Sequence, residues 1–287
     1  MWAEVRRHAR SMPEQPALLF PSTEEWGWTS WSEWKERIRT TAEDLGGLPP
    51  GTRVGFRFGP EPRSLTRDLA IQAAGAVAVP IPASGDLDLP VDRWFPGRTA
   101  QKEERPEAEG EVRVGSRSSG SLSRNRLDDP SPGVSVEEGG TWSFWGEREL
   151  GIAAEVVGDL LIRDEAASGP DRELAYLSGC LRAPWERAYL AWCLETGAAL
   201  VLAGDRELTG PGFLWSRPTM ASLDAERLLE VEAALRSGVP LRRLRRRFRR
   251  LHTLLLWGPV DPAGLDRELW DRLGVRLARA PGSSPVS

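Results

Sequence analysis

Short apolar stretches alternate with amphipathic helical stretches along most of this chain, and this alternation limits the folds open to it. Apolar runs at residues 17–20, 54–58 and 76–81 have the length of strands, and helical patterns lie between them at about 31–45 and 64–74. A strand, helix, strand, helix, strand order favours parallel strands joined by right-handed crossovers. The sequence therefore predicts an α/β domain with an open, largely parallel, doubly wound sheet.

Local signals support the element boundaries in this first part. Ser30 and Glu33 have the spacing of a capping box, which predicts that a helix begins there. Gly46 and Gly47 end that helix, and Gly75 separates the next helix from the strand that follows it.

The alternation returns after residue 140. Helices are predicted at about 147–162, 185–195, 224–236, 241–251 and 262–273, and strands at 173–177, 198–202, 253–256 and 275–278. The second part is therefore also expected to be α/β.

Residues 96–140 have a different composition. These 45 residues contain only eight aliphatic, aromatic or cysteine side chains, scattered among Gly, Ser, Pro and charged residues. Such a stretch is typical of a linker or a mobile loop. The predicted organisation is a first α/β half at 1–95, a flexible segment at 96–140 and a second α/β half at 141–287.

Charge and hydropathy exclude several function classes. The net charge of −4 gives no overall attraction to nucleic acid or anionic lipid. No apolar run approaches the roughly 18 residues of a membrane-spanning helix, and the first dozen residues lack the apolar stretch of a secretory signal. The expected compartment is the cytoplasm.

Cysteine and histidine are too sparse for a metal cluster. Cys180 and Cys193 stand thirteen positions apart, and His8 and His252 are the only histidines, so no zinc-ligand spacing is present. Both cysteines are expected to be small buried apolar side chains. Catalysis by a nucleophile and histidine is not expected, because His8 is close to a terminus predicted to fray and His252 ends an arginine-rich helix.

Several segments resemble the large N-terminal domain of adenylate-forming enzymes, the AMP-dependent acyl-CoA synthetases and ligases. The most specific is DLAIQAAGAVAVPIP at 68–82, which is similar to the helix, glycine and strand segment of the long-chain fatty-acid branch. WTSWSEW at 28–34 and LPPGTRVG at 48–55 precede it at the expected distances. Looser matches follow in the family's order, namely LAYLS at 174–178, ETGAALVL at 195–202, RPTM at 217–220 and LLWGPVD at 255–261.

The resemblance implies a fold and a reaction. It implies the open, doubly wound sheets of that N-terminal domain, here without the small C-terminal domain. The family joins a carboxylic acid to ATP, forming an acyl-adenylate and pyrophosphate, and then transfers the acyl group to a thiol such as that of CoA. ATP or AMP, Mg²⁺ and CoA are therefore the implied cofactors, by resemblance only, and a fatty or other carboxylic acid is the implied ligand.

Two segments are similar to the family's phosphate-binding elements. Phosphoryl transfer needs backbone N–H donors and a cation around the phosphates. The nearest counterpart of the Ser/Thr/Gly loop that ends in Pro-Lys-Gly is SSGSLSRNR, and the counterpart of the Tyr-Gly-x-Thr-Glu segment is PGSSP at 281–285. The implied nucleotide-binding residues are Ser118, Ser119, Gly120, Ser121, Arg126, Gly282, Ser283 and Ser284.

Alternatives exist for the first segment. Its Ser, Gly and Arg composition also fits a flexible linker. A competing remnant of the phosphate loop is Ser131-Pro132-Gly133-Val134, which keeps the proline and the Gly-Val pair but has no lysine.

The departures from the family pattern concern catalysis. Pro281 and Pro285 stand where the family has its tyrosine and its metal-binding glutamate. Lys35 and Lys102 are the only lysines, and neither is in a position to be the catalytic cation. No catalytic residue and no metal ligand are assigned.

Each of two further features allows a structural and a functional interpretation. Seven arginines lie between Arg242 and Arg250 on a predicted helix whose apolar face docks on the core. They are either a solvated surface or a contact for acidic lipid, CoA phosphates or nucleic acid. Trp26, Trp28, Trp31 and Trp34 are expected to be packing anchors, with an aromatic ligand platform as the alternative.

Two functions remain open. The first is an acyl-CoA synthetase-type ligase, truncated or degenerate, that activates a carboxylic acid weakly or not at all alone. The alternative is a non-catalytic module that holds an acyl ligand or a protein partner, which could supply the missing elements.

Overall fold

The computed structural model describes residues 1–22, 26–59, 61–82, 91–95, 133–138, 141–161, 173–177, 181, 183–202, 216–224, 228–229, 232–233, 242, 245–246, 248–257 and 267–280. The strands are β1 Pro16–Pro21, β2 Trp26–Ser30, β3 Arg53–Phe58, β4 Val77–Pro82, β5 Arg93–Trp94, β6 Gly133–Glu138, β7 Thr141–Gly146, β8 Leu174–Tyr176, β9 Ala199–Val201, β10 Met220–Asp224, β11 Thr253–Trp257 and β12 Arg276–Arg279. The helices are α1 Trp2–Ser11, α2 Trp31–Asp44, α3 Pro62–Ala73, α4 Glu147–Leu161, α5 Pro184–Thr196 and α6 Arg267–Leu273.

The described strands form two sheets. The larger has seven strands in the order β12-β11-β10-β8-β9-β1-β2, and the smaller has five in the order β5-β3-β4-β6-β7. Neighbouring strands are parallel except in the hairpins β1–β2 and β6–β7. Each sheet takes strands from before residue 96 and from after residue 132. The predicted α/β class, with largely parallel sheets, is confirmed.

A layer of helices lies between the two sheets. Helix α4 contacts β7 of the smaller sheet and β11 and β12 of the larger one. One apolar core joins both sheets to helices α1 to α5, and its members include Val5, Trp34, Leu69, Val157, Leu190, Phe56 and Leu255. A second core covers the opposite face of the larger sheet, where Phe248 and Trp270 pack on Leu254 and Leu256.

The elements predicted from local signals are confirmed. Residues 54–58 and 76–81 lie almost entirely within β3 and β4, which pair in parallel with Val54 opposite Ala78. Ser30 caps α2 through the N–H of Glu33, and the Glu33 carboxylate accepts from the Ser30 N–H at 3.0 Å. Both hydrogen bonds of the predicted capping box are therefore formed.

Two expectations about the chain's irregular parts differ from the structure. His8 does not lie on a frayed end but within α1, 4% exposed, with its Nε2 2.7 Å from the carbonyl oxygen of Leu194. Strand β6 lies inside the stretch predicted as a linker. It forms because Val134 is fully buried beside β4, where Ala78 is its partner in the sheet.

The prediction of a buried cysteine is confirmed for Cys193, and the prediction of packing anchors is confirmed for Trp31 and Trp34 but is wrong for Trp28. Cys193 is fully buried, and burial raises the pKa of its thiol well above the ordinary value. Cys180 lies outside the described residues. Trp31 and Trp34 are fully buried packing anchors, whereas Trp28 is 54% exposed.

Gly197 ends α5 in a position that only glycine fits. Its φ is +77°, and an added Cβ would lie 2.6 Å from Met12 Cε and 2.8 Å from His8 Cε1. We expect Gly197→Ala to lower the free energy of unfolding by about 2–4 kcal/mol, since left-handed strain and overpacking add.

Gly274 provides the matched control for that variant. It has the same φ of +77°, but a Cβ there would meet nothing within 4 Å. Gly274→Ala should therefore show the backbone cost alone, about 1–2 kcal/mol. Urea unfolding measures both variants, and equal losses would contradict the close packing of α5 on α1.

Candidate functional site

The carboxyl edge of the larger sheet contains a topological switch point. From β8 the chain crosses to β9 on one side, and it later returns to β10 on the other side of β8 before continuing to β11 and β12. The strands that follow β8 and β10 along the chain therefore lie on opposite sides of this point. In open α/β sheets, ligands bind at such a switch point, outside the carboxyl ends of the strands.

A buried chain of hydrogen bonds leads to this edge. The indole N–H of Trp257, the last residue of β11, donates to Ser222 Oγ at 3.1 Å. Ser222 Oγ in turn donates to the Glu186 carboxylate at 3.0 Å. Ser222 and Glu186 are fully buried, and Trp257 is half-buried. The contacts fix the Trp257 ring at the strand end, with its polar edge towards the sheet.

A cation lies at the end of the neighbouring strand. Arg279 is the last residue of β12, and its Nη2 atom is buried without a hydrogen-bond partner among the described residues. The next residue, Ala280, continues the pairing by donating its N–H to the carbonyl oxygen of Leu256 at 2.8 Å. Burying a guanidinium N–H without an acceptor costs free energy, which a bound acceptor would recover. Oxyanions are the acceptors that arginine binds best.

Sequence reasoning did not identify Arg279 or the chain from Glu186 to Trp257. No motif marks them, because each depends on where a strand ends and on which face its side chains lie. The end of an apolar strand followed by a small-residue segment is the signal that could have pointed to Arg279.

The predicted nucleotide-binding residues lie outside the described residues. This is true of Ser118, Ser119, Gly120, Ser121 and Arg126 in the first segment and of Gly282, Ser283 and Ser284 in the second. In sequence, Gly282 follows Ala280 by two positions. Of the competing remnant, Gly133 and Val134 are described, and they are the first residues of β6.

A second polar cluster lies at the opposite, amino edge of the larger sheet. The Glu173 carboxylate accepts from Thr219 Oγ1 and lies 3.2 Å from His252 Nε2. Burial alone would raise the pKa of Glu173, but the hydrogen bonds from His252 and Thr219 and the nearby positive charges outweigh it and lower the pKa. The cluster ties together the starts of β8, β10 and β11, which is a structural role.

The described part of the basic segment agrees with the predicted docking face. Phe248 and Leu251 are buried in the second core, while Arg242, Arg245, Arg246, Arg249 and Arg250 are exposed. Arg245 Nε donates to the carbonyl oxygen of Arg272 at 2.7 Å, which fixes the segment to the end of α6.

The described residues contain neither a metal-binding cluster nor a membrane-spanning helix. No group of three or more His, Cys, Asp and Glu side chains within the described ranges is arranged to hold a metal ion. None of the described helices has the length and apolar character needed to cross a membrane.

Comparison with known proteins identifies the fold. Neither a protein-family model nor a curated protein matches the sequence. Among solved structures, IdnL1 has a TM-score of 0.65 at 18% identity, and the match covers 97% of this chain and 60% of that one. A fatty acyl CoA synthetase from Mycobacterium tuberculosis has a TM-score of 0.65 at 12% identity, with 96% of this chain and 58% of the other covered.

A third solved structure is itself an N-terminal domain. The inhibitor-bound N-terminal domain of FACL13 from Mycobacterium tuberculosis has a TM-score of 0.63 at 13% identity, and the match covers 97% of this chain and 74% of that one. The chain thus has the fold of the N-terminal domain of adenylate-forming enzymes. It spans about 60% of the length of IdnL1.

Proposed function

We propose that this chain binds a nucleotide and a carboxylic acid as an acyl-CoA synthetase-type domain, and that it forms acyl-adenylate poorly or not at all by itself. The observation that carries the proposal is the buried Nη2 atom of Arg279 at the carboxyl edge of the larger sheet, which has no hydrogen-bond partner within the described part of the chain. This edge is where open α/β sheets bind nucleotides, and the fold of the adenylate-forming enzymes supports the same assignment.

The residues available at this edge fit a phosphate group. Arg279 would supply a cation, and backbone N–H groups of Gly282, Ser283 and Ser284 would supply donors of the kind that hold phosphate oxygens. The half-buried indole of Trp257 would offer an apolar wall, held in place by Ser222. On the other side of the phosphates we propose Ser118, Ser119, Gly120 and Ser121, with Arg126 as a second cation.

The residues do not fit Mg²⁺. Pro285 stands where the resemblance places the metal-binding carboxylate, and the side chain of proline has no donor atom. The proposed function therefore includes no step through a metal.

Neither lysine of this sequence is placed to act as the catalytic cation. Lys35 lies on α2, where its Nζ is 2.8 Å from the Glu36 carboxylate, and Lys102 lies in an acidic stretch of the sequence. An arginine can replace the charge of a catalytic lysine but not the placement of a compact ammonium. The proposal is therefore binding and positioning with little chemistry.

The alternative is a non-catalytic scaffold that holds an acyl ligand or a partner protein. The same substitutions at Pro281 and Pro285 favour it, because a scaffold has no need of these side chains. It differs from the first proposal in one measurable property, the binding of a nucleotide.

Two measurements on the purified chain separate these functions. We expect carboxylate-dependent exchange of pyrophosphate into ATP to stay near background with Mg²⁺ and acetate, benzoate or palmitate. We expect calorimetry to detect AMP or ATP binding, which Arg279→Gln should weaken about tenfold through loss of a charge-assisted hydrogen bond.

Arg272→Gln is the charge-matched control. Arg272 is exposed on α6, close to β12 in sequence, so its loss should leave nucleotide affinity unchanged. Robust exchange would contradict the proposed lack of chemistry. Absence of nucleotide binding to the unmodified chain, together with binding of palmitate, would favour the scaffold.

A further inference from the structure

A groove of about 820 Å³ lies between α2 and α3. Its walls come from α2 and α3, and Phe95, just after β5, closes one side. It shares no residue with the edge that ends in Trp257 and Arg279. Its volume lies within the range of sites for small organic ligands.

The groove has an excess of positive charge. Arg37, Arg63 and Arg67 line it, and Arg63 and Arg67 have no carboxylate partner among the described residues. Of its two carboxylates, Glu36 is engaged by Lys35 and Arg39, each at 2.8 Å. The other, Asp44, is the last residue of α2. An anion that enters the groove therefore meets more cationic than anionic groups.

Arg67 is held in an orientation suited to a ligand. Its guanidinium carbon lies 5.5 Å from the centre of the Phe95 ring, a cation–π contact. Such a contact restricts a flexible side chain without using its N–H donors, which stay available for an oxyanion.

The rest of the groove is suited to an apolar body. Leu45 and Thr66 are both 8% exposed and form a buried floor. The Thr66 hydroxyl donates to the carbonyl oxygen of Pro62 at 2.7 Å and accepts from the Trp34 indole at 3.1 Å, so it is already satisfied. Phe95 is half-buried and can contact a ring or a short alkyl group.

We propose that this groove binds an oxyanion that carries an apolar body, namely an aryl or alkyl phosphate or carboxylate, with Arg63 and Arg67 on the oxyanion and Phe95 and Leu45 on the apolar part. The site is separate from the nucleotide and acid site proposed at the sheet edge. It requires no catalysis, so it does not depend on the proposed function.

Calorimetry with 1-naphthyl phosphate, 1-naphthoate and 1-naphthol tests the proposal. We expect one or both anions to bind at least tenfold more tightly than neutral 1-naphthol, and the stronger of the two identifies the oxyanion. Inorganic phosphate should bind more weakly than 1-naphthyl phosphate, because it lacks the apolar body. Equal affinity for the anions and for 1-naphthol, or no binding of any probe at millimolar concentration, would overturn the proposal.

Variants locate the bound probe. The double variant Arg63→Gln/Arg67→Gln should weaken binding of the anion at least tenfold, and Phe95→Ala should weaken it severalfold. Arg10→Gln is the control, because Arg10 is exposed on α1 and does not line the groove. An equal loss in Arg10→Gln would show attraction by general charge and overturn the proposal.

Two further measurements distinguish loss of binding from unfolding, and binding in the groove from binding at the sheet edge. The urea unfolding midpoint of each variant shows whether it is folded, and Arg67→Lys serves as a milder variant that keeps the charge. Saturating AMP should leave the affinity for 1-naphthyl phosphate unchanged. Displacement by AMP together with a loss of binding in Arg279→Gln would place the probe at the sheet edge and overturn the groove site.

Discussion

Replacing Arg187 by methionine should lower the free energy of unfolding by about 3–5 kcal/mol, because it leaves the Asp68 carboxylate buried without its counter-charge. The two side chains are fully buried and form a bidentate ion pair, with Nη1 to Oδ2 at 2.6 Å and Nη2 to Oδ1 at 2.8 Å. Gln72 Nε2 also donates to Asp68 Oδ2, at 3.0 Å, but an amide supplies no positive charge. Urea unfolding followed by tryptophan fluorescence measures the loss.

The double variant Asp68→Leu/Arg187→Met should recover most of that loss. It removes both charges and fills the space with apolar side chains of similar size, which in buried ion pairs is often neutral or stabilising. Asp68→Asn alone should be at least as damaging as Arg187→Met, because a buried guanidinium cannot lose its proton. Arg39→Met, which breaks exposed ion pairs on α2, should leave the midpoint unchanged.

A small effect of Arg187→Met, close to that of the surface control, would contradict the burial of the pair. If Asp68→Leu/Arg187→Met is as unstable as Arg187→Met, the ion pair stabilises the fold through its hydrogen-bond geometry as well as through charge compensation. Either result would mean that charge compensation between Asp68 and Arg187 is not the main contact that holds α3 and α5 together.

The fold could be predicted from sequence where the signal was local. The capping box at Ser30 and Glu33 needs only residues three apart, and β3 and β4 needed only apolar runs bounded by glycine and proline. The resemblance of residues 68–82 indicated the order of helix and strand. These signals do not depend on partners elsewhere in the chain.

The rest depended on partners far away in sequence. Asp68 and Arg187 are 119 positions apart, and nothing near either residue distinguishes it from an exposed charge. Helix α1 was not predicted as an ordered element because its stability comes from packing, including the contact of His8 with the carbonyl oxygen of Leu194. Strand β6 was missed because its neighbours in sequence are polar and its partner strand, β4, ends fifty-one positions earlier.

The candidate site likewise contains some residues that local sequence signals indicate and others that only the tertiary structure identifies. Small-residue segments are visible in sequence, so Gly282, Ser283 and Ser284 could be proposed without a structure. The placement of Arg279 and Trp257 could not, since it follows from the register of β11 and β12, in which Leu256 is opposite Arg279. A strand's length decides which side chain is the last before the edge, and sequence patterns fix strand ends poorly.

Trp270→Ala should be the other large loss of stability, about 3–5 kcal/mol. Trp270 is fully buried on the outer face of the larger sheet, and its ring meets Phe248 edge-to-face with 6.0 Å between centroids. Its indole N–H donates to the Glu232 carboxylate at 2.5 Å, and Glu232 is 1% exposed. Truncation removes the packing and takes a donor from a buried acid, and the two costs add.

Trp270→Phe helps to separate these two contributions, since it keeps a six-membered ring in the core and removes the pyrrole ring with its N–H donor. It should cost less than Trp270→Ala, and the difference reports the packing of Trp270 on Phe248 and Leu254. Trp28→Ala is the matched control, because Trp28 is 54% exposed and should lose little. The backbone N–H of Val275 donates to the Trp270 carbonyl oxygen at 3.0 Å, so Trp270 also ends the turn that leads into β12. If Trp270→Ala and Trp28→Ala cost the same, the outer core does not support β12, and the assignment of Arg279 to a fixed place at the sheet edge fails with it.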